Sequence, residues 1–173
     1  MVSVDRHSSG MTLPELLVAV VMLGLMAAVG LGGINRSLAH TRVEAATREL
    51  AVGLEQARSA AEAAGEACAL ALGPSGWIQP DAAAGTSALP TCRISLGRSQ
   101  TGVQLSHNLP GPLRIASNGL VLDGGTLVVA AGGSDLQRCL VISLPLGVVR
   151  TGKSLAAPGA TPRSSDCVAD ASL

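Results

Sequence analysis

Residues 16 to 34 read LLVAVVMLGLMAAVGLGGI, nineteen positions without a charge, and Glu15 stands directly before them. At ~1.5 Å per residue that is roughly 28 Å of helix, about one bilayer core. An ionisable group at the mouth of such a run is expensive unless it has a partner, so Glu15 asks for a functional explanation. Pro14 falls in the first turn of the helix, where a missing N–H costs little. Gly30, Gly32 and Gly33 interrupt the run near its far end. Each glycine costs ~1 kcal/mol relative to Ala in a helix interior, so a bend or a local melt is expected there.

What precedes the run matters as much. A short polar leader ends in Gly10, and Met11-Thr12-Leu13-Pro14-Glu15 follow. A cleaved secretory peptide fits less well, because its apolar core is ~7 to 15 residues long and its cleavage site lies beyond that core. Here the run is longer, although Ala27-Ala28-Val29-Gly30 imitates such a site. Asp5 offsets Arg6, so the leader gives little positive-inside signal. A plain signal-anchor helix explains the apolar run but neither Glu15 nor Gly10 directly before Met11.

The combination resembles the class III signal of type IV pilins and type II secretion pseudopilins. The resemblance implies that a prepilin peptidase cuts between Gly10 and Met11 and methylates the new amine of Met11. The family's usual residue after the cut is Phe. Met11 is a mild departure, since the amine and not the side chain is modified. It further implies that Glu15 pairs with the methylated amine of a neighbouring subunit and sets axial register during assembly.

Residues 35 to 64 are rich in Ala, Arg, Glu and Leu, good helix formers. Val43, Ala46, Leu50, Leu54, Ala57 and Ala61 repeat at three- and four-residue spacing and form one apolar stripe. Gly65 is the expected stop. On the other face, Glu44 and Arg48, and Glu62 and Arg58, are four apart, and Glu55 and Arg58 three apart. These read as a solvated face worth little in stability.

After Gly65 the texture changes. Cys68 to Leu72 precede a turn signal, Gly73-Pro74-Ser75-Gly76. Cys92-Arg93-Ile94-Ser95-Leu96, then Val103 and Leu105, then Leu113 and Ile115 alternate like half-buried strands. Leu120 and Leu122 follow Asn118-Gly119. Thr126 to Ala130 and Cys139 to Ser143 come next. Residues 80 to 91 read as a loop, and residues 156 to 166 as a loose tail. With no Phe or Tyr in the chain, the core must be built from Leu, Val, Ile and Ala, with Trp77 a core or rim residue.

The order Asn118-Gly119-Leu120-Val121, Gly124-Gly125-Thr126, Arg138-Cys139-Leu140-Val141-Ile142-Ser143 and Gly147-Val148-Val149-Arg150 is similar to the GspH/FimT family of minor pilins and pseudopilins. One departure is Val148, which stands where the family often has an arginine. The expected organisation is a leader over 1–10, a transmembrane and filament-core helix over 11–34, and a periplasmic helix half over 35–65. A β-rich domain over 66–155 and a tail over 156–173 follow. The fold class is α+β, a long N-terminal helix packed against a small antiparallel sheet. The resemblance implies a single-pass inner-membrane subunit with its domain in the periplasm. Its partners would be prepilin peptidase, other pilins and the inner-membrane assembly platform.

Cys68, Cys92, Cys139 and Cys167 form no Cys-x-x-Cys pair, and the three histidines do not cluster with them, so no zinc site is expected. In a periplasmic domain they would form disulfides. Three pairings are open to sequence; order along the chain and the resemblance favour Cys68–Cys92 and Cys139–Cys167. No Walker loop, GxSxG or HExxH is present, and neither an enzyme nor a cofactor is expected.

Two other functions compete. One is an anchored periplasmic binding domain that never polymerises, which the apolar helix alone permits. The other is a pilus-tip subunit that binds DNA through Arg150, Lys153 and Arg163. Against it stand Val148, a net charge of zero and the lack of an aromatic side chain near those cations for stacking on bases. Those three cations read as ordinary solvated residues.

Overall fold

The computed structural model describes residues 12–80, 89–95, 101–144, 146–157 and 159–170, and only the backbone of 28–34. The chain divides into two units, Met1–Arg36 and Ser37–Leu173. Helix α1, Leu13–Ala64, contributes to both.

In the first unit, Leu16, Leu17, Val18, Val20, Val21, Leu23, Leu25 and Met26 are all more than half exposed. Among the described residues no helix is long and apolar enough to cross a membrane. The transmembrane half expected over 11–34 is therefore not shown here, and the side chains of 28–34 lie outside the described residues. The local melt expected at Gly30, Gly32 and Gly33 is absent: helix continues through all three. Glycine weakens a helix by entropy but keeps its N–H and C=O in the ladder, so three glycines are tolerated where a proline would break it.

In the second unit, the expected stripe is the buried face of α1. Val43, Leu50, Leu54, Ala57 and Ala61 are each at most 3% exposed, and Ala39, Ala46 and Thr47 join them. The helix stops at Ala64, and Gly65 takes φ +65°, donating its N–H to the Glu62 carbonyl at 3.3 Å. A left-handed residue just past a helix end is where glycine costs least.

Among the described residues eight strands follow: β1 Cys68–Gly73, β2 Gly76–Ile78, β3 Val103–His107, β4 Leu113–Ile115, β5 Gly125–Ala131, β6 Gln137–Ser143, β7 Val148–Ser154 and β8 Cys167–Ala169. They form two antiparallel sheets, β2-β1-β4 and β3-β5-β6-β7-β8, where one was expected. Leu70, Leu113, Ile115, Leu127 and Leu140 pack with the α1 stripe into the main core. Side chains alternate across a strand, so Cys139 and Val141 leave the opposite face of β6. With Val128 and Cys167 they form a second, smaller cluster.

Two local expectations need correction, and the turn at Asn118-Gly119 adds a detail. Cys92–Ser95 is not a strand: the chain touches β1 only through a parallel bridge between Thr91 and Ala69, beside the disulfide from Cys68 to Cys92. Cys92 is buried and Ile94 half-buried, so alternation marked the inward side chains correctly. Alternation says nothing about whether a backbone partner exists. After the Asn118-Gly119 turn it is Val121, 1% exposed, that enters the core, while Leu122 is 47% exposed. Finally, residues 156 to 173 are not wholly a tail. A 3₁₀ turn at Ser164–Asp166 leads into β8, which pairs with β7 as the edge of the larger sheet.

Candidate functional site

Gly10 and Met11 lie outside the described residues, so the cleavage position is an expectation from sequence. Glu15 is described. It sits in the first turn of α1, where the Thr12 carbonyl accepts from the N–H groups of Glu15 and Leu16 at 3.0 and 3.1 Å. Its side chain is exposed, as are its apolar neighbours. A negative charge in the first turn is favoured by the free N–H groups and the helix dipole.

The domain contains a buried ionic clamp that sequence reading missed. Arg138 of β6 is 5% exposed. Its Nε and Nη2 donate to Oε1 of Glu44 on α1 at 2.7 and 2.5 Å, and its Nη1 donates to Asp170 Oδ2 at 2.6 Å. Burial works against the guanidinium charge, but the hydrogen bonds to Glu44 and then Asp170 outweigh it, and the Arg138 pKa is raised. Glu44 thus joins β6, ninety-four residues away, and not Arg48 one turn on. The signal was available: an arginine inside an apolar strand cannot be buried without a partner. Its partner was not legible, because nothing local connects residue 44 with 138 or 170.

Other contacts fix the helix against the sheets. Trp77 of β2, 8% exposed, donates its Nε1–H to the Leu50 carbonyl at 2.8 Å. The ring lies on Gly53, where a Cβ would come within 2.5 Å of Cδ1. Arg58 does pair with Glu55, at 3.0 Å, and also donates Nε–H to the Gly119 carbonyl at 3.0 Å. On the far side, Asp123 accepts from Nε, Nη2 and the backbone N–H of Arg114, which holds the Asp123 carboxyl below its ordinary pKa. A cleft of about 400 Å³ opens between α1, Trp77, Ile94 and β3.

The cysteines pair as Cys68–Cys92 and Cys139–Cys167. The three candidate DNA contacts are not assembled into a site. Arg150 is the Cα partner of Val141 and Lys153 that of Arg138, so alternation sends the two side chains to opposite faces of β7. Arg163 is exposed and lies just before the 3₁₀ turn. Among the described residues no group of three His, Cys, Asp or Glu side chains is placed to hold a metal.

Comparison with protein families gives two adjoining matches. Residues 5–31 match the prokaryotic N-terminal methylation motif, and residues 34–146 match the type II transport protein GspH. Comparison with curated proteins and with solved structures gives no match.

Proposed function

This chain belongs to the GspH family of type II transport proteins, and from that premise we propose that it is a minor filament subunit, processed at Gly10–Met11 and assembled through its N-terminal helix. The family is one of structural subunits, pilins and pseudopilins, and not of enzymes. The observation that carries the reading is the succession of a methylation motif and a GspH domain in one chain.

Prepilin peptidase removes residues 1 to 10 and methylates the Met11 amine. The subunit waits in the inner membrane with its domain in the periplasm, and the assembly platform moves it into the filament. The exposed apolar residues from Leu13 to Met26 support this, because an apolar surface of that extent needs lipid or protein to cover it. In the filament, Glu15 takes the methylated amine of a neighbour as its partner. A buried ion pair adds little net stability, but it selects one register.

One experiment tests both steps. Wild-type and Glu15→Ala chains are expressed with prepilin peptidase and the other subunits, and intact masses are measured. Both should lose residues 1 to 10 and gain one methyl, while only the wild type co-purifies with filaments. Equal incorporation of Glu15→Ala refutes the pairing role. An unprocessed N-terminus refutes the processing step and favours an anchored domain that never polymerises.

A further inference from the structure

The chain after β7 is fastened at two places by neighbouring residues of one strand. Arg138 and Cys139 are consecutive in β6, so their side chains leave opposite faces of the sheet. Cys139 holds Cys167 through the disulfide, on the face of the second cluster. Arg138 holds Asp170 on the α1 face, where Glu44 completes the clamp. Between these points β8 pairs with β7 through Gly152–Ala169, Lys153–Val168 and Ser154–Cys167. The segment therefore passes from one face to the other around β7. Gly152 marks the crossing: a Cβ there would run into the Val168 carbonyl. Upstream, Ala156, Ala157 and Ala160 line a small cavity of about 140 Å³ together with Val128 and Ala130 of β5, and the Leu155 N–H donates to the Asp166 carbonyl at 2.9 Å.

We propose that the described residues 155–157 and 159–170 form a strap with two independent fasteners, a covalent one at Cys139–Cys167 and an ionic one at Arg138–Asp170, and that the strap opens only when both are lost. With the disulfide closed, breaking the ionic fastener frees no more than the end beyond Cys167. With the disulfide absent, the Arg138–Asp170 pair and the three residue pairs of β8 carry the attachment of the strap's end to the sheet. Opening uncovers the second cluster and frees the β7 edge, while the main core between α1 and the sheets stays intact.

The test is hydrogen–deuterium exchange on the full-length protein in detergent. Four proteins are compared: wild type, Asp170→Asn, Cys139→Ser/Cys167→Ser, and the triple variant. Peptides from 155 to 170 report the strap, and peptides from β5 report the sheet. Asp170→Asn alone should leave strap exchange within twofold of wild type upstream of Cys167. In the disulfide-free background the same change should accelerate it at least tenfold, with β5 still protected. An equal effect of Asp170→Asn in both backgrounds overturns the proposal. So does loss of β5 protection together with the strap in the disulfide-free variant, since the bridge would then hold the sheet and not a strap.

Discussion

At the scale of single residues, the carboxylates on the domain half of α1 differ in weight. Glu55 meets Arg58 with its own side chain 59% exposed, and such a pair contributes at most a few tenths of a kcal/mol. Glu44 faces an Arg138 side chain that is only 6% exposed, so removing its charge leaves a buried guanidinium with half its compensation. Breaking a fully buried pair costs ~3 to 5 kcal/mol. Glu44 is a quarter exposed and Asp170 remains, so about 1 to 3 kcal/mol is expected for Glu44→Gln. Glu55→Gln should change stability by less than ~0.5 kcal/mol. Denaturant melts of the two variants decide this, and equal midpoints would show that the clamp carries no special weight.

At the scale of elements, the contact of α1 with the β1–β2 hairpin sets local preference against packing. Helix propensity alone says that Gly53→Ala should stabilise by ~1 kcal/mol. The Trp77 ring occupies the space where that methyl would go, and its Nε1–H is tied to the Leu50 carbonyl, so it cannot easily retreat. Overpacking of this kind costs ~1 to 3 kcal/mol. Gly53→Ala is therefore expected to lower the melting temperature, with a loss of near-ultraviolet circular dichroism from Trp77. A raised melting temperature would mean that propensity wins and the contact is loose. The stripe from Val43 to Ala61 was legible because helical periodicity reports which side chains share a face. That Gly53 is a seat for an indole was not legible, because the hairpin that delivers Trp77 is a separate element.

At the scale of the whole molecule, the electrostatics argue against nucleic acid as a partner. The net charge is zero, and Arg150 and Lys153 point to opposite faces of β7. Phosphate-led binding needs several cations on one surface. No mobility shift of duplex DNA by the full-length protein is expected at low salt. A shift abolished by Arg150→Ala/Lys153→Ala would reverse this conclusion and would require the two residues to act at separate contacts.

Neighbours along the chain account for the uncharged run behind Glu15, the buried stripe of α1, its stop at Gly65, and most strand positions. Those follow from periodicity, propensity and turn chemistry, which act over a few residues. The tertiary structure decided what depends on chain segments meeting from far apart. It paired the cysteines, split the strands into two sheets, left Cys92–Ser95 without a ladder and turned part of the tail into an edge strand. It also joined Glu44, Arg138 and Asp170. A buried charge must find its partner wherever the packed fold brings one within hydrogen-bond reach, and spacing in sequence carries no record of that distance.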